Sequence, residues 1–113
     1  MSNQYPSKPV LVGNVKISEN VIRSIAQDAA LEIDGVESLA AVRKSVLHVT
    51  SPVTITISGD AVAITLNLML KSGYHLQRVA EQVQRSVKEN VQSMTGVVVS
   101  KVHIVAAGLV FEN

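Results

Sequence analysis

The sequence predicts a two-layer α/β sandwich of α+β type, with two helices on one face of a mixed sheet. Three observations carry that prediction. Gly59-Asp60 separates two strand-like runs whose apolar residues come into register when one run is folded back on the other. A long amphipathic run, residues 76–94, follows the hairpin and stops at Thr95-Gly96. A second helical run over residues 18–34 precedes the hairpin, so the element order is (strand)–helix–strand–strand–helix–strand, or (β)αββαβ. If the first strand is genuine, the order is ferredoxin-like or similar.

Residues 1–9 are polar with two prolines and are expected to form a flexible tail ahead of a single domain over residues 10–113. Residues 10–17 are a candidate first strand, with Leu11, Val15 and Ile17 on one face and Gly13 interrupting. Ser18 is a good N-cap, and Glu19 places a negative charge where the helix dipole favours it. Ile22, Ala26, Ala30 and Ile33 then recur at helical spacing, and Gly35 suits a left-handed stop. The small Ala-rich stripe should let this helix sit close to a sheet. Residues 39–52 fit neither period well, because Val42, Val46 and Val49 suit a helix or a ragged strand equally, so their structure is left open.

The hairpin pairs Ile57 with Val62, Ile55 with Ile64 and Val53 with Leu66 on one face. The other face pairs Thr56 with Ala63 and Thr54 with Thr65. A slip of one residue would set core positions against solvent, so the register is well specified. In the second helix Leu76, Val79, Ala80, Val83, Val87, Val91 and Met94 form the inner stripe. Arg78, Glu81, Gln84, Arg85, Lys88 and Gln92 lie opposite, and Glu81 and Arg85 have the spacing of a helical ion pair. A last strand is expected over residues 97–106, with Val98, Val102 and Ile104 on one face.

Composition narrows the function classes. The 113 residues carry a net charge of +1, with basic and acidic side chains interspersed, so the single-sign field of a dedicated nucleic-acid binder is missing and no DNA partner is expected. There is no Cys, which removes disulfides, thiolate nucleophiles and cysteine-based zinc or Fe–S sites. The apolar stretches 61–70 and 102–111 are each about half the ~20 residues of a spanning helix, and the N-terminal residues have no signal-peptide pattern.

Catalytic patterns are missing too. His48, His75 and His103 occur in different elements, without a second ligand at metal spacing. Asp28, Glu32 and Asp34 read as a solvated acidic face rather than a catalytic pair, because the helix's inner stripe of Ile and Ala offers no cleft. No G-x-S-x-G elbow, S-x-x-K box or phosphate loop occurs. The expectation is a protein that is not an enzyme and needs no cofactor. RNA is disfavoured, since no G-x-x-G occurs and the aromatics Tyr5, Tyr74 and Phe111 lie outside the expected strands. Two features remain as candidate partner-binding surfaces. One is the basic stripe Arg78, Arg85 and Lys88, diluted by Glu81 and Glu89. The other is the apolar tip with Leu109 and Phe111, which either folds back on the core or docks on a neighbour.

Three segments carry a family resemblance: GNVKISENVIRSIAQDAALEIDGVESL, VTITISGDAVAITLNLML and SGYHLQRVAEQVQRSVKENVQSMTGVVVSKVHIVAAGLVF. Over residues 13–111 the chain resembles the bacterial alkaline shock protein and Gls-type general stress protein family. The resemblance implies a non-enzymatic cytoplasmic scaffold of the cell-envelope stress response. It also implies self-association into a homo-oligomer, and peripheral attachment to the inner face of the membrane through a small membrane-anchored protein. It carries over no catalytic residue. The alternative function is an RNA- or small-ligand-binding module using the basic face of the second helix. The element order also looks like that of small Fe–S cluster assembly domains. Those carry Cys at the hairpin-to-helix junction, where this chain has Lys71-Ser72-Gly73-Tyr74.

Overall fold

The computed structural model describes residues 9–40, 42–43 and 49–111, with the side chains of 42, 43, 49 and 50 excepted. The expected tail at 1–9, Pro9 apart, lies outside the described residues, as do positions 41 and 44–48 of the segment left open.

The chain opens with a hairpin rather than one strand. Strand β1 (Val10–Val12) pairs antiparallel with β2 (Val15–Ile17) around Gly13-Asn14, with Val10 opposite Ile17 and Val12 opposite Val15. Gly13 takes a positive φ of 60°, so it turns the chain instead of interrupting a strand. The expected face of Leu11, Val15 and Ile17 is corrected accordingly: Val10 is buried, while Leu11 and Val15 are exposed. This hairpin forms its own two-stranded sheet outside the main one.

Helix α1 (Glu19–Leu31) starts as expected, with Ser18 Oγ accepting from Val21 N at 3.3 Å. It ends one turn before Asp34, with Glu32 as C-cap, and buries Ile22, Ala26, Ala29 and Ala30. Strand β3 (Val36–Leu39) follows at once, within residues the helical and strand patterns did not identify. Part of the open segment forms a short ladder of β4 (Val42–Arg43) with β5 (Val49–Thr50).

The main sheet is built on β7 (Ala61–Lys71), whose residues alternate between buried and half-buried along its whole length. Strand β6 (Val53–Ser58) pairs with it in the register read from sequence, Val53 to Leu66, Ile55 to Ile64 and Ile57 to Val62. Strand β3 pairs antiparallel with the end of β7. Asn67 and Lys71 direct their backbone groups to Pro52, Ala40 and Gly35, so β6 and β3 share one edge of β7.

The other edge of β7 takes β8 (Val98–Val110), which runs parallel to it along its full length. The intervening helix α2 (Leu76–Thr95) is the crossover that a parallel pair requires. It buries Val79, Val83, Val87 and Val91, each contributing about 1.5–3 kcal/mol of apolar burial. Leu76 and Met94, at the stripe's two ends, remain exposed. Gly96 closes the helix in the left-handed conformation at φ 78°.

Strand β8 is longer than expected and changes phase. The register steps from Val62–Val99 to Ala63–Lys101, leaving Ser100 as a bulge whose Oγ donates to Val62 O at 3.1 Å. Val98 therefore does not share a face with Val102 and Ile104; it is exposed, and Val99 and Val102 are the buried pair. A second step between Leu68 and Met69 leaves Ala107 as a further extra residue.

The result is a two-layer α+β fold. Helix α1 packs against α2, β3 and β6, and α2 packs against β8. The core lies between these helices and the alternating face of β7, which buries Val62, Ile64, Leu66, Leu68 and Leu70. The far face carries exposed Thr54, Thr56, Lys101 and His103 and has no covering layer among the described residues.

Candidate functional site

Helix α2 positions the basic stripe. Its N-cap is His75, whose ring Nδ1 accepts from Arg78 N at 3.3 Å. Arg78, Arg85 and Lys88 are all exposed, as their place opposite the valine stripe requires. Arg78 and Arg85 are two turns apart, about 10 Å along the axis. They open onto different depressions. Arg78 borders one of about 340 Å³ with Asp34, Tyr74, His75 and Gln82. Arg85 borders one of about 420 Å³ with Glu32, Asp34, Gln82, Glu89 and Asn90. Lys88 lines neither. The three cations share a helix without converging on one point.

Asp28, Glu32 and Asp34 are exposed, as a solvated acidic face requires. Asp28 and Glu32 line a further depression, with Ile25, Ala29, Asn90 and Met94, so a shallow groove follows the junction of the two helices. Ser86 Oγ donates to Ala29 O at 3.4 Å across that junction, and Asn90 Nδ2 donates to Ser86 O at 2.7 Å beside it. The groove depends on how closely two helices approach, and nothing in a single sequence signals it. Its carboxylates outnumber Arg85. Glu81 and Arg85 make no ion pair despite their spacing; among the described residues the ion pair is Arg23 to Glu19, at 3.7 Å. Among those residues, too, no group of three His, Asp or Glu side chains gathers at metal-binding distance.

The apolar tip stays out in solvent. Phe111 is 72% exposed and Leu109 40%. Ser72 N donates to Val110 O at 2.9 Å, which ties the end of β8 to the turn before α2. The exposed Tyr74 and Leu76 of that turn and helix start therefore lie at the same end of the molecule as Leu109 and Phe111.

Two glutamines on the outer side of α2, assigned to the solvent face by spacing, have a specific role. Gln92 Oε1 accepts from Val99 N at 3.0 Å, and Gln84 Nε2 donates to Val102 O at 3.0 Å. These side chains occupy backbone groups of β8 that no neighbouring strand takes among the described residues. No helix among the described residues is long and apolar enough to cross a membrane.

The fold resembles solved structures of MamM CTD, a ferredoxin-like α/β fold. In two variants the TM-score is 0.51 at 13% identity, covering 79% of this chain and 93% or 95% of the other. In sequence the chain is 25% identical over 109 residues to YqhY of Bacillus subtilis (strain 168), an uncharacterized protein, covering 90% of this chain and 81% of that one. The model of the alkaline shock protein family, of the alkaline shock/Gls24 type and described as having a cell envelope-related function, matches residues 8–111. That match spans nearly the whole chain, which therefore belongs to the alkaline shock protein family.

Proposed function

We propose that this protein is a non-enzymatic scaffold of cell-envelope homeostasis, working in the cytoplasm by self-association and by binding a small membrane-anchored protein. The observation that carries the reading is family membership across residues 8–111. Supporting it are surfaces suited to contact rather than to chemistry, namely the Arg78, Arg85 and Lys88 stripe and the exposed Leu109 and Phe111. The alternative, an RNA- or small-ligand-binding module using the basic face of α2, fits less well, because Arg85 shares its depression with Glu32, Asp34 and Glu89.

A native pull-down of tagged protein from separated membrane and soluble fractions, read by mass spectrometry, tests the proposal. The expected result is recovery from the membrane fraction together with a small membrane protein. Recovery from the soluble fraction alone, with RNA or with nothing, overturns the tethering. A strict monomer at high concentration overturns the self-association.

A further inference from the structure

Among the described residues, strand β8 is an edge strand of the main sheet, and only part of its outer edge is occupied. Val110 turns its carbonyl to Ser72, towards β7, so the alternate residue Leu109 faces outward. Across the Ala107 bulge the phase shifts by one, and Ala106, Ile104 and Val102 turn their N–H and C=O groups to the outer edge. The bond from Gln84 to Val102 O and that from Val99 N to Gln92 agree with this phase. The glutamine caps reach no further than Val102. Between there and the Ala107 bulge lies a regular stretch with two outward-facing residues, Ile104 and Ala106, that no side chain caps among the described residues. Between them, on the open face, Val105 is 44% exposed.

We infer that this stretch pairs antiparallel with the same stretch of a second copy, with Val105 facing Val105 on a two-fold axis. The inference rests on the self-association proposed above and names its surface. Only this register uses the uncapped residues and leaves Gln84 on Val102. Ile104 and the second copy's Ala106 exchange both backbone hydrogen bonds, and the symmetric pair does the same. Exposed Val105 gains an apolar cross-strand partner. Moving the axis to Ile104 would need the capped Val102, and moving it to Val102 would set Lys101 against His103. The opposite edge, β6, fits less well: Arg23 Nε donates to Val53 O at 3.3 Å there, and its open-face residue at the matching place is the polar Thr56.

A chain without cysteine allows a direct test. Directly opposed residues of a non-hydrogen-bonded antiparallel pair have Cα atoms about 4.5 Å apart, within disulfide range. Val105→Cys in the full-length protein should therefore give a disulfide-linked dimer under mild oxidation. His103→Cys and Thr56→Cys should not. A cross-link through His103→Cys or Thr56→Cys in place of Val105→Cys overturns the register or the edge. Sedimentation of the unmodified protein is run alongside. Assembly without a Val105→Cys cross-link refutes this surface while self-association stands. A monomer at every concentration removes both.

Discussion

Replacing Gly35 with Ala probes the point where the chain leaves α1 and passes beneath the start of α2. Gly35 holds φ at 98°, and its carbonyl accepts from Lys71 N at 2.8 Å, which ties the α1–β3 turn to the end of the central strand. A Cβ there would stand 2.8 Å from Val79 Cγ2 and 3.1 Å from Tyr74 Cγ. Val79 is buried and cannot swing aside into solvent. Two costs add. Holding a side-chain residue in that backbone region costs about 1–3 kcal/mol, and forcing a methyl into a packed site costs about 1–3 kcal/mol more. Gly59→Ala is the control, because Gly59 has a positive φ of 63° but open space where its Cβ would lie. Its cost should be the backbone strain alone, about 1–2 kcal/mol. Urea unfolding of both variants, followed by circular dichroism at equal m, measures the difference. Gly35→Ala should be the less stable by about 1–3 kcal/mol. Equal losses would mean that the turn is not packed against α2, and the account of how the helical layer meets the sheet would be wrong.

Three further outcomes are expected. Val83→Ala, at a fully buried site of α2, should lower unfolding stability by about 2–3 kcal/mol, whereas Leu11→Ala on the exposed hairpin should stay within about 0.5 kcal/mol. Gln84→Ala removes the cap on Val102 O and should cost about 0.5–1.5 kcal/mol in thermal unfolding. The same variant should sediment as the unmodified protein does, since the inferred pairing uses Ile104 and Ala106 and leaves Val102 out. Joint replacement of Arg78, Arg85 and Lys88 by Ala should leave stability within about 0.5 kcal/mol per site but abolish recovery from the membrane fraction; unchanged recovery would move the contact away from α2.

What was legible in the sequence follows from how many positions each pattern has to declare itself. Strands β6 and β7 gave six opposed pairs around one Gly-Asp turn, enough to specify register to the residue. Helix α2 repeated its stripe over five turns. The β1–β2 hairpin has a turn signal of the same kind, Gly13-Asn14, but three residues per arm are too few to show alternation. Strand β3 is short and carries a register shift between Val36 and Ser38, so period 2 breaks at once. The bulge at Ser100 likewise hides the switch of face in β8, because alternation assumes an uninterrupted strand. Of the candidate site, exposure of Arg78, Arg85 and Lys88 was readable from helical period. The groove between the helices and the capping by Gln84 and Gln92 were not. They arise from the distance between elements, which intrinsic patterns do not encode.

The two candidate surfaces become coupled if β8 pairs as inferred. Antiparallel pairing of two identical edges places the two-fold axis perpendicular to the sheet, so both helical layers lie on the same side of an enlarged sheet. Arg78, Arg85 and Lys88 of both copies would then face one plane, and a dimer would meet a membrane-anchored partner at two points. Linking two weak contacts in this way can raise apparent affinity by about 10²–10⁴ without a new contact. Val105→Lys sets like charges across the axis and leaves α2 untouched. At an exposed position it should change stability by no more than about 0.5 kcal/mol. The variant should sediment as a monomer, keep its basic stripe, and be recovered from the membrane fraction at a small part of the unmodified level. A monomer recovered at full level would show that each copy binds its partner alone, and that pairing through β8 serves some purpose other than attachment.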